Sequence, residues 1–372
     1  MPTTGHPYDQ AQFVAAVNLR VEEFLAEKRD QVTAIAAPSA PLVDSLIALS
    51  GGGKKLRPVL AWIGWRAAAG EIDRELSDPQ ALFNLAAALE LFQAAALVHD
   101  DVIDRSATRR SQPSVHIQFQ ERHRKACWSG DTAHFGTTGA ILSGDLALSW
   151  ASELFDLASE ALPNNALRAG RVFRRMHTEV ITGQYLDVVA EVAGPNATES
   201  EALRQARTVL TYKSAKYSTE YPIALGCALA GGSPELATAL AEAALPLGIA
   251  FQLRDDLLGV FGDAGVTGKP VGDDLREGKR TELIAYGLHR APDADAAELE
   301  AMLGDPDLTE PGVARIQEIL TTAGALSHVE EEIRSLTDRS AEARARLKDF
   351  GVSPEVLQDF DAVADRLVSR TS

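Results

Sequence analysis

Cysteine is nearly absent: Cys127 and Cys227 are the only two in 372 residues, and they show no metal-ligand spacing. That excludes a disulfide framework and suits a reducing compartment. Aromatic residues make up only 6% and β-branched runs are short, while alanine and leucine dominate. This composition disfavours a sheet protein and predicts helices nearly throughout. Positive charge is also scarce, with 36 Lys and Arg against 53 Asp and Glu and a formal net charge of −17. A general nucleic-acid-binding surface is therefore excluded. The opening residues MPTTGHPYDQ have no basic start or apolar core, so a signal peptide is not expected. Glu90 and Gln93 interrupt the longest apolar run, so no membrane span is expected and the setting reads as cytoplasmic.

Against this background one stretch stands out, LELFQAAALVHDDVIDRSATRR at residues 89–110. An apolar run ends in Asp100, Asp101 and Asp104, followed by Arg109 and Arg110. Helical positions four apart lie about 40° round from each other, so Asp100 and Asp104 share a face one turn apart. The preceding residues are apolar or small, so this helix is expected to be buried. Buried carboxylates require a counter-charge, and a hard divalent cation supplies one. Alone, such a cluster reads as a solvated helix end. A second copy, FQLRDD with Asp255 and Asp256, again ends an apolar helical stretch and reverses that reading.

In chain order, residues 1–7 are expected to be disordered. Phe13, Val17, Val21 and Phe24 recur at helical spacing over 8–30. A short helix reaches about Leu49. SGGGKKLRP (50–58) then combines glycines with Lys54, Lys55 and Arg57 at a helix start, a weak phosphate-binding signal. Asp78 and Pro79 read as the cap and first turn of the helix ending near Asp104. Residues 105–138 read as a long, basic, glycine-bearing loop, with helix resuming near Ala140. ITGQYLDVVAE places Gln184 and Asp187 three apart, pointing the same way. In TYKSAKYSTEYP, Lys213 and Lys216 lie among apolar positions and require anionic partners. GDAGVTGKPVGDDLREGKR (262–280) reads as a charged, glycine-rich loop. No repeat, heptad run or linker composition is evident, so residues 1–372 read as one large helical domain.

If the two apolar helices pack side by side, their carboxylates face each other above an apolar shaft. Mg²⁺ prefers a few carboxylate oxygens together with water and substrate phosphate oxygens, and Lys and Arg neutralise the remaining charge. The pattern suits a diphosphate head on a hydrocarbon tail. No Ser-His-Asp set, Cys-His pair or nucleotide-type phosphate loop competes.

These residues closely resemble the trans-isoprenyl diphosphate synthases of the polyprenyl synthetase family, most of all bacterial geranylgeranyl diphosphate synthases. The likeness runs from about Gly51 to Arg280. HDDVIDRSATRR looks like the first aspartate-rich motif and FQLRDDLLGVFGD the second. GGGKKLRP, GQYLD, YKSA and GKPVGDDLREGKRT also match in order and approximate spacing. The resemblance implies an all-α bundle around a deep central cavity, forming a homodimer. It implies Mg²⁺-dependent head-to-tail condensation of an allylic diphosphate with isopentenyl diphosphate, three ions being held once substrate is bound. By match, Asp100, Asp104 and Asp255 would hold metal, with Asp101 and Asp256 in support. Arg109, Lys213 and Lys269 would bind the allylic diphosphate. Lys54, Arg57, Gln93 and Arg110 would bind isopentenyl diphosphate. Ser214, Gln184, Asp187, Gln252, Asp274 and Lys279 would line or brace the site.

The chain departs from the family pattern in places. Gly259 stands where relatives carry a third aspartate, leaving Asp263 as a substitute. Gln93 stands where many carry His, and Ser111 replaces a common glycine. Below Asp100, Ala95 and Ala96 leave room where farnesyl-type members place aromatic bulk, and Phe92, a turn deeper, forms the expected floor. One added turn is about 5 Å, roughly one isoprene unit, so the expected product is geranylgeranyl diphosphate. The competing readings are a longer-chain polyprenyl synthase, a class I terpene cyclase and a catalytically silent prenyltransferase-like subunit. FQLRDD and GGGKKLRP argue against the cyclase, and the presence of both aspartate clusters argues against the silent subunit.

Overall fold

The computed structural model describes residues 9–69, 79–194, 198–262 and 271–368. Within them the chain is almost wholly helical. The long elements are α1 (Gln10–Ile35), α2 (Ala40–Ser50), α3 (Leu56–Ala69), α4 (Pro79–Ile103), α5 (Val115–Lys125), α6 (Thr132–Glu160), α7 (Pro163–Val192), α8 (Glu199–Val209), α9 (Tyr221–Leu229) and α10 (Pro234–Phe261). Between α8 and α9 the chain is π-helical over Leu210–Glu220. A one-turn helix (Asp273–Glu277) and five longer helices complete the C-terminal part.

Local chemistry sets several of these starts. Asp9 and Gln12 form a reciprocal capping box for α1. Thr198 and Ser233 accept the backbone N–H of Glu201 and Leu236 and so open α8 and α10. The Asp78 cap expected for α4 lies outside the described residues; α4 opens at Pro79, where a missing N–H costs nothing.

The scaffold is organised on α4 and α10. In α4 almost every residue from Ala81 to Ala95 is buried, and its alanines admit α6 at close range. Each fully buried leucine, such as Leu85 or Leu89, contributes about 2 kcal/mol relative to exposure. The first half of α10, including Leu240 and Leu247, packs into the same core as α4. Its second half, including Leu253 and Leu257, enters a separate cluster with the C-terminal helices. Pro246 interrupts the hydrogen-bond ladder of α10. Close by, the Ala243 and Ala244 carbonyls accept hydrogen bonds from Ser340 Oγ (2.6 Å) and Thr219 Oγ1 (2.9 Å).

Two expectations need correction. Residues 105–138 are not a long loop. They form a tight antiparallel pairing of Thr108–Arg109 with Gln112–Pro113, then α5, and α6 begins at Thr132 rather than near Ala140. Asp131 caps α6 by accepting from Ala133 N and His134 N at 2.8 and 3.2 Å. Gly139 is a packing residue rather than a loop signal: a Cβ there would meet the Phe119 ring at 2.5 Å. The second correction concerns apolar length. Both α4 and α10 are long and apolar enough to cross a membrane by length and composition. In α4 that stretch is 78% buried inside the fold and in α10 50%, consistent with core helices. Glu90 does not break α4, because Lys55 pairs with it at 2.7 Å.

Candidate active site

The C-terminal end of α4 delivers the first carboxylate group. Asp101 is 1% exposed and accepts from Arg109 Nε at 2.8 Å, and Arg109 also reaches Asp100 at 3.0 Å. The π-helical segment supplies Lys213. Gly183 on α7 makes room for it, since a Cβ there would lie 2.3 Å from the Lys213 backbone nitrogen. Lys213 then ion-pairs with Asp187 of α7 and, at 3.3 Å, with Asp100. The anionic partners required by the two inward lysines are thus present, since Lys216 pairs with Glu179 at 2.8 Å and with Glu220 at 3.5 Å.

Lys279 joins the first acidic group to the segment that follows α10. It lies 3.3 Å from Asp104, 3.6 Å from Asp274 and 2.6 Å from Glu277. Gly272 N donates to Gly259 O at 3.1 Å and so lays the segment carrying Asp274 and Lys279 onto the end of α10. Asp256 on α10 is buried and accepts from Gln252 Nε2 at 2.9 Å, while Asp255 beside it is half-buried. Lys269 and Asp263 lie outside the described residues.

The electrostatics reflect this crowding. Burial pushes the Asp100 carboxyl up, but Lys213, Lys279 and Arg109 outweigh it and hold it down at about 2. Burial raises Asp104 to about 6, with Lys279 opposing and Asp100 adding to the rise. Burial also raises Asp256 to about 8, the Gln252 hydrogen bond opposing and Asp274 and Asp255 adding. Lys213 and Lys279 are both held well charged, the surrounding carboxylates overcoming burial. Among the described residues no three acid, His or Cys side chains already converge on one point. The two lysines stand between the carboxylates. Even so, Asp100 Oδ1 and Asp104 Oδ2 are shielded from solvent with no hydrogen bond of normal geometry, and as hard donors they fit a divalent ion.

The basic side of the site is built from the glycine turn. Arg110 folds back so that its Nη1 donates to Leu49 O at 2.8 Å. A Cβ at Gly53, where φ is +96°, would lie 2.9 Å from Arg110 Nη2, so the glycine permits this approach. Lys54 is exposed, whereas Lys55 is buried against Glu90. Arg57 sits 4.1 Å over the Tyr217 ring and donates to Ser218 Oγ at 2.9 Å. Gln93 accepts from Tyr217 OH at 2.6 Å. Gln184 and Ser214 are half-buried.

Below the carboxylates the two alanines of α4 differ. Ala96 keeps partial exposure, but Ala95 is fully buried and turned into the core, about 140° round the helix from Asp100. Phe92 is 2% exposed, its ring 4.4 Å from His177 and 5.2 Å from Tyr217.

The Polyprenyl synthetase family model matches residues 42–320. The chain belongs to the polyprenyl synthetase family. A geranylgeranyl diphosphate synthase from Mycobacterium tuberculosis is 32% identical, with 84% of this chain and 80% of that protein covered. A geranylfarnesyl diphosphate synthase from Aeropyrum pernix is 29% identical over 88% of this chain and 93% of its own. The crystal structure of geranylgeranyl pyrophosphate synthase from Corynebacterium glutamicum, complexed with isoprenyl diphosphate and magnesium, superimposes with a TM-score of 0.90. It is 39% identical, with 98% of this chain and 100% of that one covered. The protein is a trans-isoprenyl diphosphate synthase of all-α fold.

In this synthase, sequence reasoning missed three groups. Tyr217 forms a wall between Arg57, Gln93 and Phe92; its place four residues after Lys213 was a usable signal. His177 meets Phe92, and its place seven residues before Gln184 was a second. Glu191, one turn past Asp187, is raised to about 7 by burial, with Asp187 and Asp104 adding to the shift. It gave no distinctive signal.

Proposed function

We propose that this synthase makes geranylgeranyl diphosphate by Mg²⁺-dependent condensation of an allylic diphosphate with isopentenyl diphosphate. The observation that carries the reading is the pair of lysine bridges, Lys213 between Asp100 and Asp187 and Lys279 between Asp104 and Asp274. Cations and carboxylates from distant parts of the chain meet there at the C-terminal end of α4. Asp100, Asp104 and Asp255 would hold three Mg²⁺ ions, with Asp101 and Asp256 in support. Bound there, the metal would stabilise negative charge on the departing diphosphate.

The chain's own groups do the rest. Arg109, Lys213 and Lys269 grip the allylic diphosphate, Arg109 being held ready by Asp100 and Asp101. Lys54, Arg57 and Arg110, with Gln93, hold isopentenyl diphosphate on the opposite side. The allylic C–O bond breaks, the isopentenyl double bond attacks the allylic cation, and a proton then leaves. No protein base stands out, so the released diphosphate takes that proton. Gln252, Asp274 and Lys279 brace the metal side, while Gln184 and Ser214 line the site.

Ala96 supports a product longer than farnesyl diphosphate, and the rings around Phe92 support a limit to growth. The exposed Ile141 and Leu142 on α6 support a homodimer. Cys127 and Cys227, both free thiols, support the cytoplasm. Incubation with Mg²⁺, labelled isopentenyl diphosphate and each allylic diphosphate, followed by sizing of the products, tests the reading. A twenty-carbon product is expected. A main product of any other length overturns the assignment of product, and loss of dependence on Mg²⁺ overturns the metal assignment.

A further inference from the structure

Helices α4 and α7 are bridged at two levels. At the upper level Lys213 pairs with Asp100 of α4 and Asp187 of α7. At the lower level the rings of Phe92 and His177 lie 4.4 Å apart, tilted by 40°. Phe92 is eight residues below Asp100, about 12 Å along the helix, and His177 is ten below Asp187, about 15 Å. Between these bridges the two backbones stand apart.

His177 faces this interval. Residues seven apart on a helix differ by only about 20° in direction. His177, Gln184 and Glu191 therefore form one column on α7, and the charged neighbours of Glu191 include Asp104, Lys213 and Lys279 of the site. His177 lies two turns below Gln184 on that column. Phe92, by contrast, is almost wholly covered, at 2% exposure, while His177 is only half-buried. Of the two residues in contact, His177 is the one that keeps accessible surface. It is firmly backed: its ring lies 4.4 Å from Phe173, which stacks on Phe155 at 4.2 Å and 6°. Its Nε2 is shielded and has no hydrogen-bond partner among the described residues. With Nε2 shielded and unpaired, burial disfavours the charged ring and holds its pKa down at about 4.

We propose that His177 is the surface against which the growing hydrocarbon tail stops, with Phe92 and Phe173 as the wall behind it, so that His177 sets product length. The proposal rests on the synthase reading above and extends it to a residue outside both aspartate-rich motifs. A tail entering beneath Asp100 passes Ala96, which offers no obstruction, and next meets the ring pair. Removing the His177 ring opens the column towards Phe173, while removing Phe92 alone leaves the half-buried ring in place.

The test uses the full chain with Mg²⁺, labelled isopentenyl diphosphate and farnesyl diphosphate, sizing products from His177→Ala, His177→Phe and His177→Tyr beside the parent. The alanine variant is expected to shift the main product longer by at least one isoprene unit. The phenylalanine variant keeps the ring and is expected to hold the parent length. The tyrosine variant, which projects further into the column, is expected to favour shorter products. Thermal unfolding of each variant reads packing separately, since a purely structural ring would change the melting temperature and leave product lengths unchanged. If the alanine variant elongates normally to the parent length, the proposal is overturned. If that variant does not fold, an unchanged distribution in the tyrosine variant overturns it instead. Failure of the parent itself to elongate would refute the synthase reading rather than the role of His177.

Discussion

Asp274 fills the space that a side chain at position 259 would need: a Cβ on Gly259 would lie 2.0 Å from Asp274 Oδ2 and 2.8 Å from its Cγ. The missing third aspartate of the second motif is therefore matched by a carboxylate from the following segment, which the Gly272–Gly259 backbone hydrogen bond holds down. Gly259→Asp, which restores the family's usual residue, must push the Asp274 side chain aside and sets two carboxylates together, so it is expected to destabilise this chain by about 1 kcal/mol. Asp274→Gly in the same chain should return much of the loss, because it removes the clashing group. Melting temperatures of the two single variants and the double variant check this. A fully stable Gly259→Asp protein would show that Asp274 swings away at no cost.

Asp100→Ala separates chemistry from folding. Asp187 remains to pair with Lys213, and Asp101 remains to pair with Arg109, so neither cation is left alone. The fold is expected to survive, with an unchanged helical circular dichroism spectrum. Turnover should fall by about a thousandfold or more, because losing several kcal/mol of charge stabilisation costs a factor of ten per 1.36 kcal/mol. A variant that retains a tenth of parental activity would remove Asp100 from the metal site.

Ala96→Phe is the complement of the tail-column reading. Ala96 is half-exposed on the face of α4 that carries Asp100, one turn nearer the site than Phe92. A ring there raises the floor by about 5 Å, and the main product is expected to shorten by about one isoprene unit, to farnesyl diphosphate. Ala95→Phe, in contrast, forces a ring into a fully buried core position and should reduce stability without a clean change of product. Product sizing paired with melting curves distinguishes the two.

The helices and the order of site motifs were legible in the sequence because apolar spacing and charged punctuation are local signals. The need for anions near Lys213 and Lys216 was legible for the same reason: a lysine among apolar neighbours demands a partner whatever the fold. The partners themselves were not. Asp187 and Glu179 come from another helix, and only packing decides which face meets which. The region 105–138 was misread because Gly136 and Gly139 look like loop punctuation, whereas they are packing glycines beneath Gln120 and Phe119. Ala95 was misplaced because spacing from Asp100 alone does not show which of two adjacent alanines the bundle turns inward. For His177 the spacing from Gln184 was visible, but its contact with Phe92, far away in the chain, was not.

Acid stability should also carry the signature of His177. Its folded pKa lies at about 4, below the ordinary value of 6.5, because burial penalises the charged ring. Between those values the unfolded chain binds a proton that the folded chain refuses, so stability rises with pH through this window and falls on acidification. The full span corresponds to about 3 kcal/mol. Asp104, Glu191 and Asp256, raised to about 6, 7 and 8, act in the opposite sense over this range, so the total slope mixes several groups. The difference between parent and His177→Phe isolates the histidine. The variant is expected to gain on the parent as pH drops from 6.5 towards 4, measured by urea unfolding at each pH. A constant difference across that range would show that the ring titrates normally.

Neighbouring lysines in the glycine turn should respond in opposite ways. Lys55 is 4% exposed and bridges Glu90 at 2.7 Å and the Ser50 carbonyl at 2.8 Å. Lys55→Ala leaves the Glu90 carboxylate buried without its cation, and breaking such a pair from one side costs about 3–5 kcal/mol. Glu90→Gln with Lys55→Met should recover much of that loss, since replacing both partners removes the stranded charge. Lys54 is exposed, and its loss should leave the melting temperature within about 0.5 kcal/mol equivalent of the parent. Its charge acts on isopentenyl diphosphate, so Lys54→Ala is expected to raise the KM for that substrate about tenfold, while the KM for the allylic diphosphate changes little. Steady-state kinetics with each substrate varied in turn, beside thermal melts of both variants, separate the two roles. A Lys54 variant that melts early, or a Lys55 variant that keeps full stability, would reverse the assignment of which lysine holds the turn and which meets substrate.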